Sequence, residues 1–245
     1  MRRREVAFAA TAILAGLLLY LLRLDVLPAV PRVASEPVRW VETDRTWLAL
    51  TFDGPPNPTW TPVILRLLRA YGAGATFFPT GRALERHAAL VRTMVAEGYE
   101  VGAAPYLDRR LGGDAAEIQR EVWSASVRLE AVTGVKALIF RPVAGGPTPA
   151  LLRAVAVNGE RLVLWDIDAD DASGLGPAAV AARILRGLRR GAIVRLRQGP
   201  VAARALGIVL PELRRLGYRA VTVSELLGGG LPRSGSPTAL PPSRS

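Results

Sequence analysis

The sequence predicts a parallel α/β fold, its sheet either open or closed into a barrel. Three observations carry the prediction. Seven short apolar runs alternate with six helical patterns between residues 40 and 227. Such alternation is the mark of strands joined by crossover helices. Gly72, Gly98, Gly134, Gly159, Gly191 and Gly217 each fall where a helical pattern should stop. Helix-start signals precede two of the patterns: Thr61-Pro62, with proline at the first helical turn, and Asp114 with Glu117 three residues on, which has the form of a capping box.

In chain order, Met1 to Arg4 is a basic cluster ahead of an uncharged apolar run, Val6 to Leu22, closed by Arg23. Its length of roughly 26 Å as a helix is near the lower limit for crossing a bilayer. Residues 1–23 are therefore read as one transmembrane helix, an N-terminal membrane anchor or uncleaved signal. Small residues suited to cleavage are hard to find, since Ala34 is preceded by Arg32 and Ala29 by Leu27. The arginine cluster keeps the N-terminus in the cytoplasm and puts the rest outside. Residues 24–39, with Pro28, Pro31 and Pro37, read as a linker.

The domain follows at 40–227. Strands are expected at Trp47–Phe52, Ala75–Phe78, Glu100–Ala103, Ala137–Phe140, Leu162–Trp165, Ala192–Leu196 and Arg219–Val223. Helices are expected at Thr61–Tyr71, Leu84–Glu97, Asp114–Thr133, Thr148–Asn158, Pro177–Arg190 and Val201–Leu216. Residues 228–245 are rich in Gly, Pro and Ser and read as a disordered tail.

Composition narrows the chemistry. The chain has no Cys and one His, which removes disulfides, zinc ribbons, thiol nucleophiles and His-pair metal sites. The net charge is +11, but the charges are dispersed and form no basic–aromatic stripe, so nucleic acid is not expected as a partner. A basic surface also suits anionic lipid or wall polymers.

In parallel α/β folds function sits at the C-terminal strand ends. The segments there are Thr51-Phe-Asp-Gly-Pro-Pro-Asn-Pro58, Gly102 to Asp108, Phe140 to Pro147, Trp165 to Asp171 and Arg195 to Pro200. Ala49-Leu-Thr-Phe-Asp53 with Pro56-Asn-Pro58, Gly74-Ala-Thr-Phe-Phe78, Glu97-Gly-Tyr-Glu-Val-Gly102, Phe140-Arg-Pro142 and Gly217-Tyr-Arg…Thr222-Val-Ser-Glu-Leu226 resemble, in their order and spacing, the polysaccharide deacetylases, the NodB-homology domain. The resemblance covers about Trp40 to Leu227. It implies a distorted (β/α) barrel, envelope carbohydrate as substrate, removal of acetyl groups from sugars, and a divalent metal such as zinc.

Matched residue by residue, the resemblance implies both retention and loss. Asp53 keeps the position of the general base. The metal-ligand positions hold Gly54, Ala104 and Asp108. Arg197 stands where the family has its acid histidine, and arginine releases no proton near neutral pH. Arg141 survives from the R-P-P motif, followed by Pro142 and Val143. Asp168 to Asp171 survive from the D-x-x-D-W region, with Ala172 in place of its Trp.

The catalytic-position residues are thus Asp53, Arg141, Asp171 and Arg197. Asp168 and Trp165 are candidates for substrate contact. No metal or other cofactor is expected for this chain. Asp53, Asp108, Asp166, Asp168, Asp170 and Asp171 are expected to face Arg141, Arg195 and Arg197, with Arg197 paired to Asp53 or Asp171. Each residue also has a plainer role: Asp53 bonding loop amides, Arg141 holding loops, Asp166 to Asp171 a solvated loop, Trp165 core, and His87 a surface helix residue far from the motif loops.

Three functions remain open. One is a membrane-anchored, non-hydrolytic envelope protein that binds cell-wall glycan or an envelope protein. The second is a hydrolase with residual activity on N-acetylated cell-wall or chitin-like polysaccharide. The third is a scaffold with an unused groove.

Overall fold

The computed structural model describes residues 36–107, 109–143, 146–169 and 174–228, and the backbone of 231–233. The expected anchor (1–23), most of the linker, and most of the tail lie outside the described residues. Among the described residues no helix is long and apolar enough to cross a membrane.

The described residues form ten strands and eight helices: β1 (Trp40–Glu42), β2 (Trp47–Asp53), α1 (Thr61–Ala70), β3 (Thr76–Phe78), α2 (Gly81–Arg86), α3 (Ala88–Ala96), β4 (Glu100–Val101), α4 (Ala115–Thr133), β5 (Ile139–Phe140), α5 (Pro149–Val157), β6 (Arg161–Leu162), β7 (Ile167–Asp168), α6 (Pro177–Arg186), β8 (Ile193–Arg197), α7 (Pro200–Arg215), β9 (Arg219–Val221), α8 (Val223–Gly228) and β10 (Leu231–Arg233). The α/β class with a parallel sheet is as the sequence predicts. The main sheet runs β4-β3-β2-β8-β7, and β9 joins β2 below β3. A second parallel pair, β5-β6, is linked to its surroundings by single bridges, Ala103 to Phe140 on one side and Val38 to Val163 on the other.

Alternation along the strands sorts side chains to two faces. Leu48, Leu50 and Phe52 on β2, and Val194 and Leu196 on β8, join the core under the helices, with Ile64, Leu68, Leu206 and Val209. Ala49 and Ile193 face the other way, among Phe78, Ile139, Val163 and Val221. Continuing up that inner face, β2 presents Thr51 then Asp53, and β8 presents Arg195 then Arg197. The inner column is therefore apolar at its base and charged at the C-terminal ends.

Several expectations are corrected. The helix expected over Leu84–Glu97 is two helices, broken at His87 with φ −122° and ψ 31°. Leu84 and Val91, seven residues apart, are both fully buried, so the apolar period runs through the break undisturbed. Thr61 lies inside α1 rather than capping it, its hydroxyl accepting the Asn57 N–H and donating to Gln198 Oε1. The end of the linker belongs to the fold: Val38 is buried and its N–H donates to Leu162 O at 2.8 Å. The tail contributes β10, which pairs antiparallel with β1 and covers the edge that so short a strand would leave open. By contrast, Asp114 forms the expected capping box with Glu117, and all six stop glycines have positive φ.

One polar cluster lies within the helix layer. Glu160 is 5% exposed; its Oε1 accepts from Ser126 Oγ and from Asn158 Nδ2, and its Oε2 is buried without a partner among the described residues. Burial pushes its carboxyl from 4.5 up to about 7, against the pull of the Ser126 and Asn158 hydrogen bonds. Because the folded value lies above the unfolded one, the unfolded chain gives up this proton first as pH rises. Stability is therefore expected to fall by up to about 3 kcal/mol between pH 4.5 and 7, at roughly 1.36 kcal/mol per pH unit. Urea unfolding below and above this window should show the loss in the unaltered chain and a much smaller one in Glu160→Gln. An equal loss in both proteins would contradict it.

Candidate functional site

Arg141 organises the charged end of the inner column. It follows β5 directly, is 1% exposed, and its bonds tie one strand end to another. Its Nη1 donates to Thr51 Oγ1 at 2.7 Å and to Asp53 Oδ1 at 2.9 Å. Nε donates to Val163 O at 3.2 Å and Nη2 to Leu164 O at 2.9 Å. The guanidinium also lies 4.1 Å from the Phe78 ring centre. Burial lowers its pKa, and the Asp53 carboxylate raises it back. The Thr51 hydroxyl extends the chain of bonds by donating to Val194 O at 2.6 Å. Arg141 thus joins β2 to the chain after β6, and it fixes the Asp53 carboxylate, whose side chain keeps 13% exposure. Of the two roles open to Arg141, holding loops is the one its bonds describe.

Among the described residues the ion pair of Asp53 is with Arg141 rather than with the expected Arg197. Arg197 sits beside Asp53 in the β2–β8 register. Its stem lies over Gly54, where an added Cβ would be 4.0 Å from Arg197 Cγ. Arg141 takes the carboxylate because its guanidinium is buried and needs a counter-charge. The alternative partner Asp171, and the ligand position Asp108, lie outside the described residues, as does Asp170.

Asp168 and Trp165 form the rim on the β7 side. Arg195 holds Asp168 through two bonds, Nε to Oδ1 at 3.1 Å and Nη2 to Oδ2 at 2.9 Å. Its guanidinium stacks 4.1 Å from the Trp165 ring centre. Trp165 is half-buried against the inner apolar cluster and serves as a platform for arginine. Asp168 remains 47% exposed and can accept from a ligand.

Asp166 is removed from the mouth. Its side chain is 4% exposed, holds Arg189 at 2.6 Å and accepts the Ile193 N–H at 2.7 Å, at the opposite end of β8. Burial raises its carboxyl pKa, and Arg189 opposes this. The sequence places Asp166 just past a strand expected at Leu162–Trp165. In the fold it stands immediately before β7, at the N-terminal end of that strand, while Asp168 reaches the other end.

Sequence reasoning missed Gln198. It is 7% exposed, its Nε2 donates to Gly54 O at 2.9 Å, and its Oε1 accepts from Thr61. It pins the loop after β2 to α1. Its one signal is its place directly beyond Arg197. His87 is corrected as well. It is not remote from the motif loops, for it lines one cavity with Pro55, Tyr106 and Leu107, all on those loops.

Two of the three ligand positions, Gly54 and Ala104, do not fit a divalent metal, and the third, Asp108, lies outside the described residues. Gly54 and Ala104 carry no side-chain donor atom, Ala104 is 1% exposed, and Gly54 has φ +86°, a conformation that resists a side chain. Among the described residues no three His, Cys, Asp or Glu cluster so as to hold an ion.

A parallel α/β sheet with polar residues gathered at its C-terminal strand ends puts the candidate site where proteins of this fold class carry their chemistry. A CE4 family pseudoenzyme from Bacillus anthracis has the same fold, with a TM-score of 0.74 at 23% identity, covering 78% of this chain and 68% of that one. The family model for polysaccharide deacetylase matches residues 41–163. A peptidoglycan-N-acetylglucosamine deacetylase of Bacillus cereus is 34% identical over 207 residues, 78% of this chain and 92% of the relative. A chitooligosaccharide deacetylase of Bradyrhizobium is 32% identical over 197 residues, 72% of this chain and 89% of the relative. The chain belongs to the polysaccharide deacetylase family.

Proposed function

We propose that the chain is a non-hydrolytic member of its family, held at the cell membrane by its N-terminal segment, that binds cell-wall glycan on the extracytoplasmic side. The observation that carries this reading is the donor set at the strand ends. Amide hydrolysis of this kind needs a polarising cation, a base for water and an acid for the leaving amine. Asp53 is oriented by Arg141 and reachable from the mouth, so a base position survives. Gly54 and Ala104 offer a cation nothing, and Arg197 has no proton to give. Loss of the acid alone costs roughly 10²–10⁴-fold in rate.

Binding needs less. Asp168 is the exposed acceptor at the rim, and the Arg195–Trp165 stack beside it is a rigid polar surface able to meet sugar hydroxyls. The relatives named above act on peptidoglycan and chitooligosaccharide by their names, which supports wall glycan as the ligand class.

The test uses the full chain purified in detergent. It is titrated with zinc, then with chitooligosaccharide and soluble peptidoglycan fragments, and acetate is assayed. Glycan binding without stoichiometric zinc and without acetate is expected. Acetate release with one tightly held zinc, or no binding to either glycan, would overturn the reading.

A further inference from the structure

The cavity that contains His87 has no assigned role. It measures about 260 Å³, and its lining includes Pro55, Thr80, Arg82, Arg86, His87 and Tyr106. These residues come from the loops after β2 and β4 and from the segment after β3, so the cavity opens on the same C-terminal side as Asp53. Pro55 is two residues from Asp53, and Tyr106 is two from Ala104.

Among the described lining residues the ionisable side chains other than Tyr106 are basic. Neither Arg82 nor Arg86 pairs with a carboxylate among the described residues. The acid on α2, Glu85, is engaged elsewhere: it holds Arg128 at 3.3 Å and accepts the Tyr106 hydroxyl at 3.1 Å. Arg128 in turn stacks 4.7 Å from the Tyr106 ring centre, which fixes that wall. The backbone is fixed too, since the Gly81 and Arg82 N–H groups donate to Pro105 O and Tyr106 O. Arg82, Arg86 and His87 therefore border a concavity whose walls are held in place. Cavities that bury a whole ligand run to roughly 300–1,000 Å³, so this one suits a single substituent.

We propose that this cavity is a subsite for a carboxylate carried by the glycan, on a sugar or on its peptide stem. The inference rests on the glycan-binding reading and adds the substituent that is recognised. Arginine matches a carboxylate with two parallel bonds, which a neutral N-acetylglucosamine polymer does not offer.

The test compares the full chain in detergent with Arg82→Ala/Arg86→Ala, whose altered side chains are exposed, by calorimetry. Four probes are used. They are a neutral chitooligosaccharide, a disaccharide with a free carboxylate on its sugar, a disaccharide whose carboxylates lie only on an attached peptide, and a glycerol phosphate oligomer. The unaltered chain should bind at least one carboxylated probe about tenfold more tightly than the neutral one, a preference that high salt weakens. Which of the two gains affinity tells whether sugar or peptide carries the group. The double variant should lose that preference and keep its affinity for the neutral oligomer. Equal affinities for all carboxylated and neutral probes would overturn the subsite and leave glycan binding standing. Preference for the phosphate oligomer would overturn the carboxylate assignment. Failure to bind any of the four would overturn the subsite and the glycan reading together.

Discussion

Arg141→Met is expected to lower the melting temperature by about 6–20 °C. Removing one partner of a buried pair costs roughly 3–5 kcal/mol, and a domain of this size loses about 2–4 °C per kcal/mol. The methionine would fill much of the volume but leave Asp53 without its cation and the carbonyls of Val163 and Leu164 without their donors. Arg141→Lys keeps a charge but cannot reach four acceptors in a plane, so its melting point should fall between the two. Calorimetric melting of the three proteins decides the matter. A shift under about 2 °C for Arg141→Met would mean that the clamp contributes little.

Gly191→Ala is expected to be as damaging for a different reason. Gly191 lies between β1 and β2, its N–H donating to Trp47 O at 2.7 Å and its carbonyl accepting from Val41 N at 2.9 Å. A Cβ there would sit 1.6 Å from Val41 O, a backbone atom that cannot swing aside, and φ is +76°. Left-handed backbone costs an alanine about 1–2 kcal/mol, and overpacking adds about 1–3 kcal/mol. Gly159→Ala is the control, because φ is +77° there and nothing lies within 4 Å. It should lose only the backbone part. Urea midpoints that agree for the two variants would show that β1 is not pressed against this glycine.

Much of the fold is legible because its signals are local. Strand and helix positions follow from apolar period, and the Asp114–Glu117 box and the stop glycines from cap chemistry. What escapes are features made by distant partners. Trp40–Glu42 and Leu231–Arg233 pair across almost the whole chain, and Ile167–Asp168 is a strand only because β8 lies beside it. The site divides the same way. Asp53, Arg141 and Arg197 stand out at the strand ends by motif and topology. Which carboxylate each arginine takes is not legible, since the burial of Arg141 and the starting point of β7 decide it. Gln198 and the His87 cavity escape because neither carries a pattern along the sequence.

The sorting of β2 and β8 into two faces has a consequence for substitution. Leu196 packs under the helices, whereas Arg197, the next residue, stands outside that cluster. A replacement at position 197 therefore leaves the packing under the helices undisturbed. Asp53 is the exception, because it neutralises a buried guanidinium, so the fold itself favours a carboxylate there. In such a design the carboxylate at position 53 answers to the architecture as well as to any chemistry at the strand ends.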